Sequence, residues 1–456
     1  MFNRNQELQL MKTLWRLMLP IALQNLLSAV VNTADVLMLG GVSANALSAS
    51  SLAGQVTFVL NLFYLGISTG ASVLAAQYWG RRDRSTIERI QGMSLRYCAV
   101  ISLAFFFAAC LIPDILMRAF TNDPTLIALG VQYLRYIALS YLFMGVSQIL
   151  LTIMKSIGQT RVSAEITIAC LLCNITLNAI SIYVLFHKQV INSLRGVAGA
   201  TAISRALELA LCLVAIQIKR GIRVSPVDCL HTPEWLRRDF RKCALPVQAN
   251  YLIWGCATAG ISAILGRLGS EIVAANAMAT TLRNLVIVGC NALGTAGSIH
   301  IGNKLGCGDL QGAKYAGIHI KNASLVLGAL SGLMLLMLYP SVATIARIEA
   351  DASSLFFQMV WINALYCIGK AYNSSLVGGI FCAGGDTRFG LVCDTIAMWC
   401  VILPLGLLCA FVFKLPPIVV YAVLCMDETV KLPFVAIRFR KYRWLQNLTR
   451  DRHTAE

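Results

Sequence analysis

The chain has 456 residues, 57% hydrophobic and only 13% charged, with a mean hydropathy of +0.70. That profile excludes an ordinary soluble protein and indicates a polytopic membrane protein. The net charge of +17 invites a nucleic-acid partner, but the positions of the basic residues argue for membrane orientation instead, as set out below.

In chain order, twelve apolar spans are predicted, at roughly 14–40, 50–79, 94–112, 126–153, 162–187, 196–218, 243–266, 272–299, 318–345, 355–380, 389–413 and 416–437. Clusters of Pro, Gly and charge separate them, among them Gly80-Arg-Arg-Asp-Arg84, Pro113-Asp114, Asn122-Asp-Pro124, Pro340 and Pro416-Pro417. The N-terminus is polar and basic, and no small-residue cleavage site follows the first apolar run, so that run reads as a retained helix. Most of the 38 lysines and arginines fall in the N-terminus, the C-terminus and alternate loops. The opposite loops hold only Arg118, Lys188, Arg195, Arg267, Arg347 and Lys414. Arg135, Arg205, Arg283, Lys370 and Lys431 fall within helices. This asymmetry is the positive-inside pattern, which places both termini in the cytoplasm of a multi-pass inner-membrane protein. Some contact with anionic lipid is expected and nucleic acid is not. Trp15, Trp79, Trp235 and Trp444 lie near predicted membrane edges, where indole rings are favoured.

The two halves of the chain repeat each other. Leu19-Pro20 matches Leu245-Pro246 at an offset of 226, which also pairs Gly40 with Gly266, Gly80 with Gly306 and Asp83 with Asp309. Gly158-Gln-Thr-Arg161 matches Gly385-Asp-Thr-Arg388 one residue later. The expected organisation is an N-terminal lobe (1–220), a cytoplasmic linker (221–242), a C-terminal lobe (243–438) and a basic cytoplasmic tail (439–456). Repeats in the same orientation imply an axis along the membrane normal, with binding sites between or within the lobes.

Between Leu17 and Gly80 the only charged side chain is Asp35. A carboxylate at mid-membrane costs roughly 2.5–3.5 kcal/mol on insertion scales and usually faces protein or a watery cavity. Its repeat counterpart is Ile261, so symmetric packing does not require it. Asp35 is therefore the candidate ion-coupling residue. Asn174 and Asn178 stand four apart on one helix face and are candidate partners for Asp35 or for Na+. Hydrogen bonding between helices would explain them as well. Pro20 interrupts backbone hydrogen bonding in the first helix, either as a moving hinge or as a fixed kink repeated at Pro246.

These features resemble the multidrug and toxic compound extrusion (MATE) family. The resemblance rests on Pro20, Asp35 and Gly40 in the first helix and on Gln77-Tyr-Trp-Gly-Arg-Arg-Asp83. It rests also on Asn174-x-x-x-Asn178, Gly196-Val-Ala-Gly-Ala200 and Phe381-Cys-Ala-Gly-Gly-Asp-Thr-Arg388. It implies an all-α fold of twelve transmembrane helices in two pseudo-symmetric six-helix bundles that form an outward- or inward-open V. It implies a secondary transporter and no enzyme, exporting amphipathic organic cations against H+ or Na+ with no other cofactor. In the resemblance Asp35 is the coupling carboxylate, Asn174 and Asn178 its helix-5 partners, and Pro20 a bending point. One branch of the family carries a glutamate eight residues after the helix-7 proline, where this chain has Trp254. The chain therefore looks closer to the DinF-like branch. Some members have aspartate at the Asn178 position, and its absence here favours protons over Na+.

Other motifs read more plainly. Asp386 suits a helix cap or a contact with Arg388, and with Asp394 it makes a secondary polar site to weigh. Asp394 has no evident local partner. Asp427, Glu428 and Lys431, and Arg205 with Glu208, have spacings suited to mutual neutralisation. Gly66-Ile-Ser-Thr-Gly70 fits a hydrolase motif but lies in a membrane helix, where it reads as close packing. Cys170-Leu-Leu-Cys173 has redox spacing but lies in a predicted membrane helix outside any βαβ unit, so it reads as helix packing. The five histidines show no metal-ligand spacing and no phosphate-cradling glycine loop is present, so an ion gradient must supply the energy. A lipid-linked oligosaccharide flippase of the same fold is the alternative, with Arg135, Arg205, Arg283 and Lys370 as candidate pyrophosphate holders. A monomer is expected.

Overall fold

The computed structural model describes residues 4–187, 189–218, 222, 232–345 and 350–450. The side chains of residues 4–6, 32, 33, 36, 37, 270, 343–345 and 350–353 lie outside that description. Lys188, Arg347, His231, His453 and residues 221 and 223–231 of the expected linker also fall outside it.

Among the described residues the regular structure is entirely helical. Seven helices form the first half: α1 (Arg4–Gly40), α2 (Ala44–Gly80), α3 (Arg84–Leu111), the short α4 (Pro113–Arg118), α5 (Pro124–Ser156), α6 (Thr160–Ala179) and α7 (Val190–Ile218). The second half runs α8 (Glu234–Leu268), α9 (Ser270–Val286), α10 (Val288–Gly306), α11 (Leu310–Ile345), α12 (Ala350–Asn373), α13 (Thr387–Thr395), α14 (Leu403–Leu407), α15 (Pro417–Leu424) and α16 (Asp427–Arg440). Wider π-helical turns continue α6 (Ile180–Leu185) and α12 (Ser374–Phe381), and they follow α13 (Ile396–Ile402) and α14 (Leu408–Val412).

Nine of the described helices are long and apolar enough to cross a membrane, or ten when α9 and α10, bent by 45° at Ile287, count as one span. The remaining two predicted spans are also helical. One is α12 with its π turn; the other is α15 and α16, where Asp427, Glu428 and Lys431 lower the hydropathy. The chain is thus a polytopic all-α membrane protein with a helix at every predicted span.

Local chemistry sets the ends. The Ser43 hydroxyl caps α2 by accepting from the Asn45 and Ala46 amides, and Asp83 caps α3 through the Thr86 amide. Pro124 opens α5 at a position where a missing N–H is harmless. Asp309 repeats the Asp83 cap by accepting from the Gly312 amide at 2.8 Å. The Lys304 ammonium, 2.8 Å away, holds the Asp309 carboxyl below the usual carboxylate range. The left-handed residue before each of these caps is Arg82 (φ 64°) in one half and Gly308 (φ 81°) in the other. The later shared turn is made by Gly158 and Gly385 (φ 84° and 76°).

The chain divides into two compact units. The N-terminal unit comprises Leu23–Ala244, and the C-terminal unit comprises Met1–Ala22 with Leu245–Glu456. Neither division falls in a polar connection. Both fall inside helices, α1 and α8, within a few residues of the repeated prolines Pro20 and Pro246. In the C-terminal unit, Leu10, Leu14, Leu17, Met18 and Ile21 of α1 pack into a core with Ala292, Ile320, Phe381 and Trp444. In the N-terminal unit, α5 is the central helix and packs on α2, α3 and α7.

The tail expectation needs one correction. Trp444 is not an interfacial residue but is wholly buried, its ring stacked on Phe439 at 5.7 Å between centroids. A Cβ on Gly384 would collide with the Trp444 carbonyl, and one on Gly317 would meet its ring. The segment after α16 is therefore folded against the C-terminal unit, because these two glycines leave room for the indole and its backbone. The close-packing reading of Gly70 is met, since a Cβ there would run into Ala244.

Candidate functional site

Three of the residues singled out in the sequence meet in the N-terminal unit. Asp35 lies on α1 four turns beyond Pro20, and Asn174 and Asn178 lie on one face of α6. The Asn178 amide donates to Asp35 Oδ1 at 2.7 Å and, more weakly, to Asn174 Oδ1 at 3.3 Å. Asn174 in turn donates to the Thr201 hydroxyl of α7 at 3.4 Å, and Thr201 donates to the Val197 carbonyl. The donors diverge from Asn178: one bond runs to the carboxylate on α1, and the other leads through Asn174 and Thr201 to the α7 backbone. Asn178 is 1% exposed and Asn174 8%, whereas Asp35 is half-buried. The site is therefore an amide wall with a carboxylate at its open side.

Two electrostatic facts follow. Among the described residues no lysine or arginine pairs with Asp35. One charge-assisted hydrogen bond contributes about 1.5–3 kcal/mol at best, and polar contacts between membrane helices average nearer 0.6 kcal/mol. That offsets only part of the insertion cost of the carboxylate. Asn178 Oδ1 is buried and finds no hydrogen-bond donor among the described residues, which leaves an oxygen ligand beside the acid.

Sequence reasoning missed the surroundings. Tyr133 of α5 stands within electrostatic reach of Asp35 and packs on a cluster of Leu39, Ala46, Ile182, Leu194 and Val197. This apolar cluster lies toward the α1 end beyond the carboxylate. Nothing in Val131-Gln-Tyr-Leu-Arg135 marks Tyr133 as different from any other membrane-helix tyrosine. Thr201 was equally silent, following the Gly196-Val-Ala-Gly-Ala200 motif by one residue.

The other singled-out residues lie elsewhere, in the C-terminal unit. Asp386 makes no side-chain cap, contrary to expectation, and its partner is not Arg388. It accepts two parallel bonds of 2.7 Å from Arg438 Nε and Nη2, a bidentate geometry that ties the turn before α13 to α16. Asp394 does have partners, though none local: Lys431 at 2.9 Å and the Asn250 amide at 2.9 Å. Pro20 sits inside a continuous α1, as Pro246 does inside α8.

The expected ion pairs form. Arg205 meets Glu208 at 2.9 Å and Lys431 meets Glu428 and Asp427 at 3.3 and 3.6 Å. Of the four basic residues considered as pyrophosphate holders, Arg205 is engaged by Glu208 and Lys370 by Glu428. Arg283 donates to Asn363 at 2.8 Å and lies over the Tyr366 ring, while Arg135 is exposed. Three of the four already have partners of their own.

Comparison with known proteins gives a consistent picture. The MatE family model matches residues 20–180, the stretch that holds Asp35, Asn174 and Asn178. The chain is 21% identical over 438 residues to the uncharacterized transporter YisQ of Bacillus subtilis, with 95% of each chain covered. It is 27% identical over 401 residues to the multidrug resistance protein NorM of Photobacterium profundum, covering 86% of each. It is 23% identical to the multidrug resistance protein MdtK of Yersinia enterocolitica, covering 95% of each. Among solved structures, a MOP superfamily transporter from Pyrococcus furiosus superposes with a TM-score of 0.86 at 16% identity, over 94% of this chain and 95% of that one. An outward-facing MATE transporter of the same superfamily gives 0.84 at 16% identity over the same shares.

Proposed function

Because the chain belongs to the MATE family of membrane transporters, we propose that it exports amphipathic organic cations in exchange for protons, with Asp35 as the coupling carboxylate. The observation that carries this reading is the half-buried Asp35 held by an amide donor and by no cation among the described residues. The multidrug resistance names of its NorM and MdtK relatives support the substrate class. A deprotonated Asp35 is a negative site that attracts a cationic drug from the cytoplasm. A proton arriving from outside cancels that charge, and the drug is released.

Asn178 orients the carboxylate and stabilises its charged form by donating to it, and Asn174 positions Asn178 by accepting from the same amide. Na+ is the competing ion, and the free Asn178 Oδ1 would serve as one of its ligands. With a single carboxylate in the site we favour the proton. The protein works as a monomer in the inner membrane with both termini cytoplasmic, in keeping with the placement of its basic residues.

The test is ethidium transport in proteoliposomes under an imposed pH gradient or Na+ gradient, for wild type and Asp35→Asn. Transport driven by pH alone and abolished in the variant is the expected result. Transport driven only by Na+ would keep Asp35 and change the ion. An Asp35→Asn protein that still concentrates the dye would overturn the mechanism.

A further inference from the structure

The repeat extends to individual hydrogen bonds, and one pair of them differs in charge. In the N-terminal unit the Gln24 amide donates to the Thr167 hydroxyl at 3.0 Å, joining α1 to α6. The equivalent bond in the C-terminal unit, shifted by 226 and 227 positions, runs from the Asn250 amide of α8 to Asp394 of α13 at 2.9 Å. A neutral acceptor in one unit is thus a carboxylate in the other. Unlike Asp35, this carboxylate is met by an ammonium group.

Lys431 Nζ lies 2.9 Å from Asp394, 3.3 Å from Glu428 and 3.6 Å from Asp427, and its side chain is only 5% exposed. Lys370 meets the other oxygen of Glu428 at 2.9 Å. The Asn373 amide donates to the Glu428 carboxylate and to its backbone carbonyl, both at 2.8 Å. Among the described residues, Lys370 and Lys431 are thus the cations that pair with Asp394, Asp427 and Glu428. Two buried amide oxygens, Asn250 Oδ1 and Asn373 Oδ1, find no donor among the described residues. Their nitrogens are committed to the carboxylates, so neither amide can turn round to satisfy its oxygen.

Three carboxylates around one ammonium are oxygen ligands of the kind a small hard cation takes, and the amides that donate to Asp394 and Glu428 each keep a buried oxygen without a donor among the described residues. We propose that Lys431 Nζ fills a monovalent-cation site in the C-terminal unit as a built-in ion, and that neutralising Lys431 makes this a site for Na+. The two units would then use buried carboxylates differently. Asp35 faces no fixed cation and takes up a dissociable one, whereas Asp394 carries a fixed cation and needs none. Removing one partner of a buried charge group leaves the others uncompensated, and Na+ supplies the missing charge.

The experiment is thermal unfolding of the purified, full-length protein in NaCl against N-methylglucamine chloride, in an Asp35→Asn background so that the N-terminal site does not contribute. The parent Asp35→Asn is expected to be insensitive to Na+. Adding Lys431→Met should lower Tm in the Na+-free salt and raise it saturably with Na+, by at least about 2 °C. Further replacement of Asp394 by Asn should remove that response. A Lys431→Met protein that folds and ignores Na+ would overturn the proposal, as would a parent that responds to it. A Lys431→Met protein that fails to fold in Na+, while the Lys431→Met/Asp394→Asn pair folds, would also count against it, because Na+ should have replaced the lost charge.

Discussion

Asn178 is the residue on which the candidate site turns, since its single amide group reaches both Asp35 and Asn174. Asn178→Ala leaves the carboxylate without the donor that the described residues offer it. A contact worth between about 0.6 and about 3 kcal/mol corresponds to a loss from about threefold to about a hundredfold, and pH-driven ethidium transport by this variant should fall within that range. Asn178→Asp instead adds a second carboxylate beside Asp35, and transport should become responsive to a Na+ gradient. An alanine variant with wild-type transport at all pH gradients would remove Asn178 from the coupling site. At this scale the sequence was informative where a residue broke a pattern. Asp35 stood out because nothing else from Leu17 to Gly80 is charged, and the two asparagines because of their spacing. Asp386 and Asp394 stood out equally, but their partners Arg438 and Lys431 lie 52 and 37 residues away, beyond any local rule.

The helices themselves were legible from hydropathy, with their ends displaced. α2 begins at Ala44, six residues before the predicted start, because the Ser43 cap and the early Ala-rich turn extend the helix beyond its apolar stretch. α10 likewise runs on to Gly306. The π-helical turns after α6, α12, α13 and α14 had no sequence signal; each widens the ladder by one residue where neighbouring helices, not local propensity, set the path. The strap after α16 is the element most at variance with expectation. It is fixed by a buried tryptophan whose carbonyl occupies the space a side chain on Gly384 would need. Gly384→Ala should therefore lower Tm by several degrees and open the strap to trypsin at Lys441 and Arg443. Loss of a buried Trp contact is worth about 3–5 kcal/mol when the site does not relax. Unchanged stability and unchanged cleavage would mean that the strap is not held there.

For the molecule as a whole, the proposed exchange draws its energy from the gradient across the membrane and sets which part of that gradient counts. One proton for one monovalent cation moves no net charge, so the membrane potential, worth about 2.3 kcal/mol per charge per 100 mV, contributes nothing. Each pH unit contributes about 1.4 kcal/mol, enough for a tenfold drug gradient. Ethidium accumulation should accordingly follow the imposed pH difference and ignore a potassium-diffusion potential at equal pH. Accumulation driven by potential alone would require another stoichiometry. At this scale the sequence by itself determined the all-α membrane class, the positions of the helices and the duplicated halves, because hydropathy and the 226-residue offset are properties of composition and order. It also marked Asp35 as a charge that symmetry did not demand. The tertiary structure alone decided that the two compact units divide inside α1 and α8, near their prolines. It alone decided which buried charges are paired, and that among the described residues Asp35 meets an amide and no basic side chain. A side chain's partner is fixed by the packing of helices distant in sequence, and the cost of burying a charge becomes known only once that partner is in place.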